Sequence, residues 1–213
     1  MKEYAKTIIA NYRKDKRFRG ELMLYINFAI NAGYAVFEAI CGIILHSAWM
    51  GTLAFYYIVL SSMRLYILRR HKQESERERL KAYRSCAVLL LLLTVAIAGI
   101  HILTMARYYS VKYKGYMIYA VATYTFYSAI SAIRNVVVYR KINDPILSAS
   151  KAINLAVAAI SMYNLQAAMI TAFGDEDEAF RVTMGSCVGI GVLLIIISIS
   201  IYMITKANKK LQC

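Results

Sequence analysis

Six apolar runs, each about twenty residues long or slightly longer, constrain this chain more than any other feature of its sequence. A helix rises about 1.5 Å per residue, so a run of this length crosses the roughly 30 Å hydrocarbon core of a bilayer. The sequence therefore predicts an all-α, polytopic integral membrane protein, built as a six-transmembrane-helix bundle. The predicted spans are residues 22–45, 49–68, 86–106, 116–138, 152–173 and 184–205.

The composition agrees with lipid as the main solvent. Hydrophobic residues make up 60% of the 213 positions, whereas soluble globular chains have roughly 45–50%, and only 18% of positions are charged. This balance excludes a disordered chain, a disulfide scaffold and an ordinary cytosolic enzyme. The chain divides into an amphipathic cytoplasmic segment 1–21, a transmembrane domain 22–205 and a cytoplasmic tail 206–213.

The net charge of +14 predicts an orientation. Most of the 26 Lys and Arg residues lie before the first span, after the sixth, or in the second and fourth connections. Cytoplasmic loops collect Lys and Arg, so we expect a multi-pass protein of the cell membrane with both termini in the cytoplasm. The basic surface also predicts contact with anionic lipids at the inner face. Topology accounts for the charge, so no nucleic-acid partner is expected.

A polar stripe on the first span is the main functional signal. At about 100° per residue, Asn27, Asn31, Tyr34 and Glu38 share one face, which must turn toward the bundle or a water-filled cavity. An ionisable group within a span costs roughly 2.5–3.5 kcal/mol on insertion scales, so Glu38 needs a partner or a function. One interpretation is cation binding or a proton shuttle; the other is a structural residue that ties helices together.

Two further side chains reach the depth of Glu38. His101 and Gln166 lie at a similar distance from the outer side of their spans. We therefore expect an outer polar layer in which Glu38 accepts a hydrogen bond from His101 or from a tyrosine. The tyrosines and the threonine at this depth are Tyr56, Tyr57, Tyr124 and Thr123.

Two arginines lie near the cytoplasmic ends of their spans. For Arg64 and Arg134 we favour side chains that snorkel to the inner interface. The alternative is an inner vestibule that attracts an anion or a lipid phosphate. Its other members would be Asn27, Asn31, Ser61, Ser131, Asn135 and Asn154. Glu38 and Arg64 are not expected to pair, because their depths differ by about 13 Å of helix rise.

The same two arginines end a pattern that occurs twice, with the second copy seventy residues after the first. Duplication of helical hairpins is one interpretation, and chance is the other, because the chain has 18 tyrosines. The two copies are Tyr57, Ser61 and Arg64, and Tyr127, Ser131 and Arg134.

Motifs for catalysis or metal binding are missing from the sequence. It has no HExxH, GxSxG, GxxxxGK[ST] or GxGxxG pattern and no cysteine pair at zinc spacing. We therefore expect no enzyme activity, no metal and no cofactor. Free thiols are favoured over a bridge between Cys41 and Cys187. Gly185 and Gly189 form a small-xxx-small face that indicates close helix packing, with a homodimer as the alternative.

These signals favour a small secondary transporter or exporter of an unknown small molecule or ion, with a polar pathway through Glu38. The alternative is a non-transporting membrane scaffold or regulatory subunit of a larger complex, which would use the charged segments 1–21 and 69–85. The candidate pathway residues are Glu38, Asn31, Asn27, Tyr34, His101, Gln166, Arg64 and Arg134.

Overall fold

The protein is an all-α helical bundle of the integral membrane class, as the sequence predicts. A computed structural model describes residues 16–71, 75–106, 115–138, 144–173 and 178–212, which form six helices and no strand. The helices are α1 (Lys16–Ile44), α2 (Ala48–His71), α3 (Glu76–Ala106), α4 (Gly115–Val138), α5 (Pro145–Phe173) and α6 (Glu178–Gln212). Most of the predicted amphipathic segment 1–21 lies outside the described residues.

Five of these helices are long and apolar enough to cross a membrane, and α4 is not among them. Its 24 residues span about 36 Å, but tyrosine, threonine and serine side chains lower its hydropathy. The packing nevertheless places α4 beside the middle of α1. The Tyr124 hydroxyl lies 2.8 Å from the Asn31 amide, and the Tyr127 hydroxyl donates to Asn27 Oδ1 at 2.9 Å. The helix α4 therefore runs antiparallel to α1 at the same depth.

A three-residue turn joins α1 to α2. His46 has a φ of 47°, which is the left-handed conformation that commonly ends a helix. The backbone nitrogens of His46 and Ser47 donate to the carbonyls of Ile43 (3.4 Å) and Gly42 (3.0 Å), as in a Schellman motif. The Ser47 hydroxyl then accepts from the Met50 nitrogen at 3.4 Å and caps α2. Local sequence thus makes a tight antiparallel hairpin.

The two helices of this hairpin approach closely, which sets their register. A Cβ added at Gly42 would lie 3.0 Å from the backbone nitrogen of Gly51. Because α1 and α2 are antiparallel, this crossing places Arg64 nearly level with Asn31 in the middle of the bundle. We call the end of the bundle with the α1–α2 turn the hairpin end.

The opposite end, which we call the basic end, carries the end of α2 and the start of α3. The charged connection is helical from Glu76 onward. Glu78 accepts from Lys81 at 2.7 Å and lies 3.7 Å from Arg70. Such exposed pairs contribute only about 0.2–1 kcal/mol each, so they shape the surface more than they stabilise the fold.

The outer surface of the described helices is rich in large apolar side chains. Ile43, Ile102 and Phe126 are examples that are more than half exposed. In water such a surface would lead to aggregation, whereas in a bilayer it contacts acyl chains. The polar side chains that cannot face lipid are gathered inside, and this interior holds the candidate site.

Candidate functional site

The polar stripe of α1 faces the interior of the bundle. Asn27, Asn31, Tyr34 and Glu38 are all buried. The helical period predicts their common face, and the surrounding helices supply their partners. These partners fall into two groups, one at Glu38 toward the hairpin end and the other at Arg64 toward the basic end.

Glu38 is held by one of its two carboxylate oxygens. Oε1 accepts from the Tyr34 hydroxyl at 2.6 Å and from Asn164 Nδ2 at 3.1 Å. The indole nitrogen of Trp49 donates to Asn164 Oδ1 at 3.4 Å, which connects α2 to the same group. Oε2 is buried and has no hydrogen-bond partner among the described residues. The carboxyl is therefore fixed in orientation and leaves one oxygen open.

Three tyrosine rings fill the space between Glu38 and Arg64. The rings of Tyr34 and Tyr124 stack with centroids 3.6 Å apart and an interplanar angle of 2°. Tyr57 meets both rings edge-on, at 5.0 Å from Tyr34 and 5.5 Å from Tyr124. Close aromatic packing of this kind fixes the relative position of α1, α2 and α4.

Arg64 lies inside the bundle, so the prediction that it snorkels to the interface is wrong. Its side chain is 1% exposed, because the face of α2 that carries it packs against α1 and α4. The Asn31 amide has its oxygen toward Arg64, since the opposite orientation would set NH₂ against guanidinium. That oxygen accepts from Nε at 2.9 Å and from Nη2 at 3.1 Å, and the amide nitrogen donates to the Tyr124 oxygen at 2.8 Å.

The counterpart of Arg64 in the second copy of the pattern has a different environment. Arg134 is exposed on the outer surface of α4, a position that agrees with snorkelling. Ser131 in the same copy is buried and donates to Asn27 Oδ1 at 3.1 Å. The two copies are therefore not equivalent in packing. Arg134 lies outside the candidate site.

A chain of polar and aromatic contacts connects the two buried charges. It runs from Arg64 to Asn31 and Tyr124, crosses the ring stack to Tyr34, and ends at Glu38. Glu38 and Arg64 do not pair directly, because their depths differ by about 13 Å of helix rise. The chain of contacts spans this distance. The step across the stack is a ring contact and not a hydrogen bond.

Sequence analysis did not identify Asn164 as the partner of Glu38. A signal existed, since Ser161 and Asn164 are three residues apart and share a face of α5. Ser161 contacts the Ser128 hydroxyl of α4 at 2.6 Å, which shows that this face is inside. The sequence of α5 does not indicate which of its buried faces lies against Glu38.

The expectation that Glu38 accepts from His101 or from a tyrosine of the outer layer is wrong, because its tyrosine donor is Tyr34 on the same helix. His101 Nδ1 instead lies 2.6 Å from the Tyr163 hydroxyl. The Gln166 amide nitrogen donates to the Met184 carbonyl of α6 at 3.5 Å. Within the described part of the chain, neither His101 nor Gln166 contacts Glu38, because α5 turns Gln166 toward α6.

Gly189 makes room for His101, and we expect Gly189→Ala to destabilise the protein by about 1–3 kcal/mol. The added Cβ would lie 2.7 Å from His101 Nε2, and the ring cannot move freely because Tyr163 holds its other nitrogen. The measurement is unfolding in SDS followed by Trp49 fluorescence. Gly191→Ala is the matched control: its Cβ meets no atom within 4 Å, so no loss is expected. Equal stability of both variants would contradict the prediction.

The described residues form neither a metal-binding cluster nor a disulfide. The described residues contain no group of three or more His, Cys, Asp or Glu that could hold a metal ion. Cys41, Cys86 and Cys187 are free, so the bridge between Cys41 and Cys187 is not formed. Cys41 is buried and Cys187 is exposed, as expected for separate thiols.

The fold and its interior define a class: an integral membrane helical bundle in which Glu38 and Arg64 are buried apart from each other. The sequence matches no family model, and it matches no curated protein. Glu38 and Arg64 are the two buried groups of the interior that bear on function.

Proposed function

We propose that this protein is a small secondary transporter in which Glu38 takes up and releases a coupling ion, either a proton or a small cation. The observation that carries the proposal is the open oxygen of Glu38, which is buried without a hydrogen-bond partner among the described residues. Ionisable groups inside membrane proteins are expensive, and they commonly mark ion pathways and proton relays.

The contacts of Glu38 suit a group that changes its charge. Tyr34 and Asn164 both donate to Oε1, so they orient the carboxyl whether or not Oε2 carries a proton or meets a cation. Loss of the charge weakens both hydrogen bonds, since bonds to an ionised acceptor are the stronger ones. Through Asn164 and Trp49 that change reaches α5 and α2. Ion binding is thereby coupled to the packing of three helices.

The orientation belongs to the same proposal. Exposed cations cluster at the basic end, among them Arg69, Arg84 and Lys209. The positive-inside rule then puts this end in the cytoplasm of a cell membrane, facing anionic lipids. The open oxygen of Glu38 lies toward the hairpin end, which is the external side in this orientation.

The test is ion movement in liposomes that contain the purified protein and dyes for internal pH and sodium. A panel of small carboxylates, amines, amino acids and inorganic salts is added outside. With the wild-type protein at least one solute should change the internal pH or sodium level. Glu38→Gln should reduce this movement to that of protein-free liposomes, because the amide can neither release a proton nor neutralise a cation. Glu78→Gln is the control, since Glu78 lies on the exposed basic end.

Two results would contradict the proposal. If solute-driven ion movement persists in Glu38→Gln, the pathway does not use Glu38. If no solute moves an ion through folded wild-type protein, the scaffold alternative is favoured. That alternative predicts that removal of residues 1–21 abolishes capture of a partner protein while membrane insertion continues.

A further inference from the structure

Arg64 is a buried cation without a counter-ion in the described part of the chain. No Asp or Glu of that part forms an ion pair with it, and Glu38 is about 13 Å of helix rise away. A buried charge is strongly unfavourable unless it is paired and hydrogen-bonded. The Asn31 oxygen meets part of this need but carries no charge. An anion at Arg64 would supply the negative charge that the described residues do not provide there.

The geometry of the guanidinium indicates what kind of anion fits. Its side edge, made by Nε and Nη2, is occupied by the Asn31 oxygen. Nη1 is buried and has no hydrogen-bond partner among the described residues, so the donors of Nη1 on the end edge of the guanidinium are unused there. Two parallel N–H groups on one guanidinium edge match the two oxygens of a planar carboxylate.

Other unpartnered groups lie on the same face of α2. Tyr57, Ser61 and Arg64 are spaced four and three residues apart, and all three are buried. The Tyr57 hydroxyl and the Ser61 hydroxyl have no hydrogen-bond partner within the described ranges, and the same holds for Asn27 Nδ2 across the interface on α1. These groups can all donate. Ser61 lies one helical turn from Arg64 on this face, whereas Tyr57 lies two turns away. A hydroxyl donor one turn from the guanidinium suits an acceptor with several lone pairs.

We propose that Arg64, with Ser61 beside it, binds the carboxylate group of a ligand, with Nη1 and Nη2 donating to its two oxygens. As a statement about the transported substrate, this inference rests on the proposed carrier function and deepens it: the substrate class is a carboxylate, whose charge the ion at Glu38 balances. As a statement about binding, it holds without transport. The carboxylate can come from a small solute or from a fatty acid of the membrane.

The test uses the purified full-length protein in a neutral detergent, with no gradient. Its melting temperature is measured against increasing sodium acetate, sodium octanoate and sodium chloride at equal ionic strength. A ligand that binds only the folded state raises the melting temperature in a saturable way. We expect this rise with a carboxylate and not with chloride. A rise with acetate as well as with octanoate indicates a small-solute site. A rise with octanoate alone indicates a site for a fatty acid.

The variants decide whether Arg64 is the binding group. Arg64→Lys keeps the positive charge but loses the two parallel N–H donors of the guanidinium. The carboxylate concentration that gives half of the rise in melting temperature should therefore increase at least about tenfold. Arg134→Lys is the matched control and should leave it unchanged, because Arg134 is exposed on the outside of α4. If Arg64→Lys does not fold, Ser61→Ala replaces it, with an expected several-fold weaker binding from the loss of one donor.

Three results would overturn the inference: no carboxylate-specific rise, an equal rise in chloride, or unchanged binding in both Arg64→Lys and Ser61→Ala. Failure of the Glu38 proposal is distinguishable, because it concerns ion movement in liposomes. Carboxylate binding with no ion movement leaves the Arg64 site standing and rejects the carrier. Ion movement without carboxylate binding supports the carrier and rejects the Arg64 site.

Discussion

Replacing Asn31 with Leu should lower the free energy of unfolding by about 3–5 kcal/mol, one of the two largest effects that we expect. The substitution removes the oxygen that accepts from both Nε and Nη2 of Arg64 and leaves the guanidinium buried. A neutral hydrogen bond between membrane helices contributes only about 0.6 kcal/mol on average, so the charge decides the magnitude. The measurement is reversible unfolding in SDS, followed by Trp49 fluorescence.

Two variants separate the charge from the hydrogen bond. Tyr124→Phe removes the neutral contact of the Asn31 amide with the Tyr124 hydroxyl and should cost about 0.6 kcal/mol. The double variant Asn31→Leu with Arg64→Met removes the charge together with its partner. It should recover most of the loss, since apolar replacements of a buried ionic group are often neutral or better. A loss below about 1 kcal/mol for Asn31→Leu alone would show that Arg64 reaches water.

The number and position of the helices could be predicted from the sequence, because length and hydropathy act locally. The ends of α1 and α5 are also local: His46 occupies a left-handed position, and Asp144 precedes Pro145 at a helix start. The hydropathy of α4 was less informative, since two of its four tyrosines, Tyr124 and Tyr127, bond to α1 inside the bundle, whereas Tyr116 and Tyr119 are exposed. Tyr124 looks polar in the sequence but is buried against Asn31.

Burial of the polar side chains was predictable on α1 and not on α2. Glu38 shares a polar stripe with Asn31, so the inward face of α1 follows from its period. Apolar residues surround α2 almost evenly, so the sequence gives no preferred inward face for Arg64. The same local pattern surrounds Arg134, which is exposed. Rotation of each helix in the bundle depends on all of its neighbours, and a single helix does not contain that information.

The two buried charges have related consequences. Within the described ranges, one carboxylate oxygen of Glu38 and one guanidinium nitrogen of Arg64 are buried without a hydrogen-bond partner. The ring stack of Tyr34 on Tyr124 separates them, so they do not neutralise each other. Glu38 therefore needs a proton or a cation, and Arg64 needs an anion, because a guanidinium keeps its proton in a protein. A carrier for a carboxylate together with a proton or cation satisfies both needs with one pair of ligands.

Replacing Asp144 with Ala should also reduce stability, by about 3 kcal/mol. Asp144 Oδ1 accepts from the backbone nitrogens of Ile146 (2.8 Å) and Leu147 (3.4 Å), so it caps α5, and such caps contribute about 1 kcal/mol. Its Oδ2 accepts from Arg79 Nη2 of α3 in a largely buried ion pair. Removing the carboxylate leaves Arg79 in that position without its acceptor, which accounts for the remaining loss.

Asp144→Asn separates these two functions of the carboxylate. The amide oxygen still caps α5, and only the charge opposite Arg79 is lost, so about two thirds of the effect should remain. Arg84→Gln is the control, since Arg84 lies on the same helix as Arg79 and is exposed. Unfolding in SDS compares the three variants. If Asp144→Asn is as unstable as Asp144→Ala, the ion pair holds α3 to α5 and the cap contributes little. If it is as stable as the wild type, the cap alone is responsible, and Arg79 does not depend on the carboxylate.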